Sequence, residues 1–222
     1  MINRSLFPNA IAQSKQELSL DLVMLQGLIR KGVQEASNAW GLDPEVPLSI
    51  KRLFVRGKIL ELTGDGESLI LTLFNALQLQ GECETFIDPH NAMALLGQLL
   101  EQEPTAAVDV IEADAFLSLG WLVGIPGRGR KGKNAVSVEL KESNSAEPIV
   151  QEDIARGDLV SIGLPNGGNY EATLRYKRIG LSNMKTLEEI EGFKARIWVD
   201  GRGRPAVLPD DQISMWNHIS PT

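Results

Sequence analysis

The residues of this chain best suited to chemistry lie in one short segment, Gly127-Arg-Gly-Arg-Lys-Gly132-Lys133-Asn134. Its glycines let the backbone approach an anion closely, and Arg128, Arg130, Lys131 and Lys133 supply charge-assisted donors. Three chemistries share these letters. The spacing fits the phosphate-binding loop G-x-x-x-x-G-K-[ST] up to its last position, where Asn134 removes the hydroxyl expected on magnesium. Such a loop also feeds a helix, whereas Ala135 to Leu140 alternates as a strand does. Phe193 to Asp200 is an apolar run closed by an aspartate, as a metal-holding strand would be. The second chemistry, G-x-G-x-x-G over Gly127, Gly129 and Gly132, lacks the following helix of a dinucleotide fold and puts basic side chains where a neutral backbone approach is wanted. The third is a clamp on a DNA or RNA backbone, which needs glycines and cations and reads no bases. A second Gly-Arg-Gly-Arg at Gly201 to Arg204 lets Arg202 and Arg204 join that clamp if both tips lie on one side. Without a phosphate partner, the loop is a solvated tip whose charge keeps a sheet edge soluble.

Other constellations are weaker. Glu139-Leu-Lys141 matches half of a magnesium-dependent nuclease core, with Asp109 or Asp114 as the missing carboxylate, and two carboxylates with a lysine hold a metal and activate water. Alternating Glu and Lys also simply decorates an exposed strand. Asp88-Pro-His90 suits a helix cap followed by a first-turn proline better than it suits acid-base work. His218 stands near the end of the sequence without an evident partner, and neither serine nor cysteine sits in a G-x-S-x-G elbow. The single cysteine, Cys83, excludes an internal disulfide and multi-cysteine zinc sites. Trp40, Trp121, Trp198 and Trp216 read as core or interface anchors. No catalytic residue, metal ligand or cofactor is assigned.

The Gly127 to Asn134 loop resembles the glycine-rich loop of repeat-associated RNA-binding subunits in CRISPR complexes, in that loop and in no other part of the chain. The resemblance implies a backbone-gripping role for it.

The elements that must carry this loop follow from periodicity. Ser14-Lys-Gln-Glu17 has capping-box spacing, and Leu18, Leu22, Leu25, Ile29, Val33, Ala36 and Trp40 recur on one helical face before Gly41. A helix over 15–40 is expected. Leu48 to Leu62 reads as a strand running into the Gly64-Asp65-Gly66 turn, and Ser68 to Gln80 is too uniformly apolar to assign between helix and strand. Glu82 to Ile87 reads as a strand, Asp88 opens a helix that stops before Pro104, and Ala107 to Ile111 reads as a strand. Val136, Val138 and Leu140 mark a half-buried strand. Glu142 to Pro148 reads as a linker, followed by short strands and glycine turns of the SH3-like size class. The expected fold is α/β or α+β. Residues 1–141 form a mixed α/β domain, 142–149 a linker, and 150–222 a small all-β, barrel-like module.

Charge is uneven along the 222 residues: 1–124 carry 8 Lys/Arg against 16 Asp/Glu, and 125–222 carry 14 against 13, within a net charge of −7. An acidic whole argues against general nucleic-acid binding, while the second half keeps a local basic site. The longest apolar runs, 68–79 and 115–125, fall short of the roughly 20 residues of a membrane span, and Pro8, Asn9 and Gln13 interrupt any signal-like block. A cytoplasmic or virion protein without membrane contact is expected. The function expected is a non-catalytic structural subunit of a homo- or hetero-oligomeric assembly, of the virion tail, neck or capsid type. The alternatives are a nucleic-acid-binding subunit that grips phosphates through the Gly127 loop, and a magnesium-dependent nuclease or NTPase.

Overall fold

In the computed structural model the described residues are 12, 14–43, 48–57, 66–112, 115–127, 129–165, 167–178, 181–191, 196–204, 206 and 216–219. The chain is an α+β fold in layers. Helix α1 (Lys15–Ala39) begins where the sequence demands: the Ser14 Oγ accepts from the Glu17 amide at 3.2 Å. Its Leu22 is buried, and Ile29 and Val33 pack on the core below. Strand β1 (Arg52–Arg56), helix α2 (Gly66–Leu77) and strand β2 (Gly81–Asp88) form a βαβ unit with parallel strands. The undecided run at 68–80 is thus helical through Leu77. Every residue from Ser68 to Leu77 is buried, so no polar face exists to reveal a period. Each fully buried Leu or Phe there contributes about 1.5–3 kcal/mol.

Helices α3 (Ala92–Gln102) and α4 (Pro104–Glu112) follow β2, before strand β3 (Leu117–Gly124). The strand expected at Ala107 to Ile111 is helix α4 instead, with Pro104 at its first position, where a missing N–H costs nothing. Helix α3 starts later than expected, at Ala92. The Asp88 carboxylate still caps it, accepting from the amides of Ala92 at 2.7 Å and Met93 at 3.0 Å.

Strands β4 (Asn134–Glu142), β5 (Pro148–Ala155), β7 (Asn169–Arg178) and β8 (Leu181–Glu191) make an antiparallel four-stranded sheet in the order β5-β4-β7-β8. Strands β6 (Leu159–Gly163), β9 (Arg196–Asp200) and β10 (Trp216–Ile219) return to the first sheet, whose order is β1-β2-β3-β9-β6-β10. The expected linker at 142–149 is therefore the β4–β5 hairpin, and both sheets take strands from either side of it, or pair across it. Among the described residues no barrel closes: the C-terminal strands are divided between two open sheets.

The two sheets pack face to face. Val123, Val160, Ile162, Ile197 and Val199 of the six-stranded sheet meet Val136, Val138, Leu140, Ala172 and Leu174 of the other. On its opposite face, Leu122, Leu159 and Trp198 lie under α2. Alternate residues of β3, β6 and β9 thus enter different cores, which explains their nearly continuous apolar sequence. No helix among the described residues is long and apolar enough to cross a membrane.

Candidate functional site

Three turns meet at one end of the sandwich. They are the glycine-basic loop between β3 and β4, the β5–β6 turn at Arg156 and Gly157, and the turn after β9. Arg156 organises the loop. Its Nη1 and Nη2 donate to the carbonyls of Gly127 and Pro126, each at 3.0 Å. Its own backbone bonds the loop's far side, with Gly132 N to Arg156 O at 2.8 Å and Arg156 N to Lys133 O at 2.7 Å. The Gly127 carbonyl also accepts from the Arg204 amide at 3.2 Å. That approach requires glycine at 203, where φ is +85° and a Cβ would lie 2.4 Å from the Gly127 oxygen. The two Gly-Arg-Gly-Arg segments do lie together, joined through their backbones.

Their side chains part company. Arg130, Lys131 and Lys133 are exposed, while Arg128 lies outside the described residues. Arg202 and Arg204 point inward, with side chains 5% and 0% exposed. The Arg202 fork grips Asp200, Nε to Oδ1 at 3.0 Å and Nη2 to Oδ2 at 2.6 Å, and Nη2 also donates to Asn75 Oδ1 at 2.9 Å. Arg204 donates from Nε to the Leu79 carbonyl at 2.7 Å and from Nη1 to the Gly203 carbonyl at 2.9 Å. It pairs with Asp200 at 3.2 Å and lies over the Phe74 ring. Arg30 of α1 completes the cluster by donating to the Asn75 carbonyl at 2.6 Å. The carbonyl end of α2, which carries a partial negative charge, thus collects three guanidiniums. Burial pushes the Arg204 pKa down, and Asp200 opposes that shift. Arg202 and Arg204 therefore leave the expected clamp: their donors face Asp200 and the end of α2, not solvent.

Beside the loop lies a cleft of about 180 Å³ between the sheets. Ile125, Pro126 and Ala135 give it an apolar side, and Arg156, Lys177 and Lys185 bring cations to it. Among the described residues its lining carboxylate, Glu82 of β2, accepts from Tyr176 Oη of β7 and Lys185 Nζ of β8. Burial, then the bond to Glu82, raises the Tyr176 pKa far above its usual value, so the phenol remains a neutral donor. Sequence reasoning missed this group. Its members lie on separated strands, and only the Arg156-Gly157-Asp158 turn marks any of them locally.

The remaining candidates have structural positions. The loop runs into strand β4, without the helix that a nucleotide-binding loop feeds. Glu139 pairs with Arg175 at 3.1 Å and Lys141 with Glu171 at 3.0 Å across the β4–β7 ladder. Asp109 is exposed on α4, and Asp114 lies outside the described residues. His90 is exposed beside the α3 cap, and the side chains of Trp216 and His218 are outside the description. Cys83 is buried, and desolvation pushes its thiol up to about 11, so it is a poor nucleophile near neutral pH. Among the described residues, no three His, Cys, Asp or Glu side chains are grouped to hold a metal. No protein-family model, curated protein or solved structure matches the chain.

Proposed function

We propose that this chain is a non-catalytic subunit of a protein assembly that docks through the α3–α4 hairpin. One observation carries the reading. In α3 only Leu96 is buried and in α4 only Ala107, whereas Leu95 is 66% exposed and Leu100, Val108, Val110 and Ile111 are open as well. Isolated exposed apolar residues are ordinary, but a helix pair that leaves most of its apolar side chains in water has the composition of an interface. The outer face of α1 adds Leu20, Val23 and Leu28. A virion subunit would use such faces toward copies of itself or toward sister proteins.

Sedimentation of the full chain tests the proposal. The wild type is expected at a multiple of the single-chain mass, and Leu95→Glu with Ile111→Glu at the single-chain mass with an unchanged circular dichroism spectrum. A single-chain mass and equal solubility for both proteins contradict it.

A second reading, a nucleic-acid-binding subunit, is favoured by the exposure of Arg130, Lys131 and Lys133 together on a loop whose backbone is fixed from both sides. Filter binding at several salt concentrations tests it. Each lost phosphate contact is expected to reduce the salt slope by about 0.7–0.9, and Arg130, Lys131 and Lys133 replaced together by Ala are expected to weaken binding similarly for all sequences. A slope unchanged by that replacement rules the loop out as a phosphate clamp.

A further inference from the structure

The α3–α4 face is acidic as well as apolar. Residues 89–126 contain no lysine or arginine, and Glu101, Glu103, Asp109 and Glu112 of the hairpin stand in solvent. Among the described residues no ion pair engages any of the four. Two copies meeting through this same face would turn carboxylates toward carboxylates, and like charges across an interface oppose association. A well-matched partner brings cations. The exposed loop residues Arg130, Lys131 and Lys133 also have no ion pair among the described residues. Asp153 of β5, which interacts with Asn134 at the end of the loop, is taken up by Ser137 and Lys177. Lysine and arginine stems can also cover apolar surface while their charged ends stay in water, and Met184, 62% exposed, stands near the loop across the Ser137–Arg175–Met184 ladder.

Loop and hairpin lie at opposite ends of β3. Leu117, on the α4 side, pairs with Ile87, and Gly124, which leads into the loop, pairs with Gly81. The eight residues of β3 separate the two ends by roughly 24 Å. Arg156 and Arg204 hold the loop at its own end through the Gly127 carbonyl. The loop of one chain therefore cannot cover its own helix pair, whereas the loop of a second copy can.

We propose that copies of this chain associate head to tail, the basic loop of one docking on the acidic, apolar α3–α4 face of the next. The inference rests on the docking role of that hairpin and names its partner as a second copy of the chain. The two surfaces differ, so the contact is heterologous and repeats into a ring or an open filament. It assigns Arg130, Lys131 and Lys133 to a protein surface instead of a phosphate backbone.

Sedimentation of the full chain at low ionic strength, over a range of concentrations, tests the proposal by charge reversal. Reversing the loop alone, with Arg130→Glu, Lys131→Glu and Lys133→Glu, should raise the concentration needed for half-assembly by about tenfold or more. Reversing the face alone, with Glu101→Lys, Glu103→Lys and Asp109→Lys, should do the same. Both reversals in one chain should bring assembly back to within about threefold of the wild type, because the two changes are coupled across one contact. All six positions are exposed, so the variants are expected to melt with the wild type. If the loop-reversed chain melts lower, Arg130→Gln, Lys131→Gln and Lys133→Gln repeat the measurement without adding negative charge. The proposal is overturned if the loop variant assembles like the wild type, including the case in which it loses only oligothymidylate binding, or if the double reversal fails to restore assembly. Should Leu95→Glu with Ile111→Glu dissociate the assembly while loop reversal does not, the docking role of the hairpin stands and its head-to-tail partner falls. A wild type at the single-chain mass removes both.

Discussion

The same four letters, Gly-Arg-Gly-Arg, occur at 127–130 and at 201–204 and have opposite fates a few ångströms apart. At the first, Arg130 stands in solvent. At the second, both arginines are interior groups that join β9 to the end of α2. The tetrapeptide does not decide this; its neighbours do. Asp200 precedes the second copy by one residue and is fully buried, so it supplies a carboxylate before the arginines arrive, and the Asn75 side-chain oxygen and the Leu79 carbonyl add further acceptors. Asn134, which follows the first copy, supplies no charge. A glycine-arginine segment read from sequence alone is therefore ambiguous between a surface clamp and an internal lock.

The largest expected effect comes from breaking the lock at its carboxylate. Asp200→Ala leaves two buried guanidiniums without their counter-charge and should destabilise the protein by about 3–5 kcal/mol, measured by denaturant unfolding. A loss below about 1 kcal/mol would mean that the arginines escape to solvent and that the two copies differ little. Next is Gly203→Ala, which places a side chain at positive φ and against the Gly127 carbonyl; about 1–3 kcal/mol is expected from the same measurement. An unchanged midpoint would show that the turns are not in close contact. The smallest effect belongs to the exposed copy. Replacing Arg130, Lys131 and Lys133 together by Ala should move stability by no more than about 0.5 kcal/mol per site, and a larger loss would make that loop structural as well.

How much was legible in the sequence follows from what each residue must satisfy locally. The Ser14 cap and the Leu22–Ile29–Val33 stripe place α1 correctly, because a half-exposed helix shows its period. The alternation of Val136, Val138 and Leu140 places β4 for the same reason. Helix α2 hid its type because every side faces protein. Helix α4 hid behind Val108, Val110 and Ile111, β-branched residues that imitate a strand, although Pro104 marks a helix start. The barrel expectation failed through topology: β6 and β9 look like strands of a small local module, but their partners include β3, far earlier in the chain. Of the candidate site, the exposed loop was legible from its glycines and charges. The inward turn of Arg202 and Arg204 was not, since their partners Asn75 and Leu79 are more than a hundred residues away. The cleft cations share no motif.

Native-state modification with phenylglyoxal, followed by mass spectrometry of the arginine-containing peptides, tests the contrast between the two copies most directly. Arg130 is expected to react in the folded protein, and Arg202 and Arg204 only after denaturation. Equal reactivity of Arg202, Arg204 and Arg130 in the native protein would contradict the lock and return both copies to the surface.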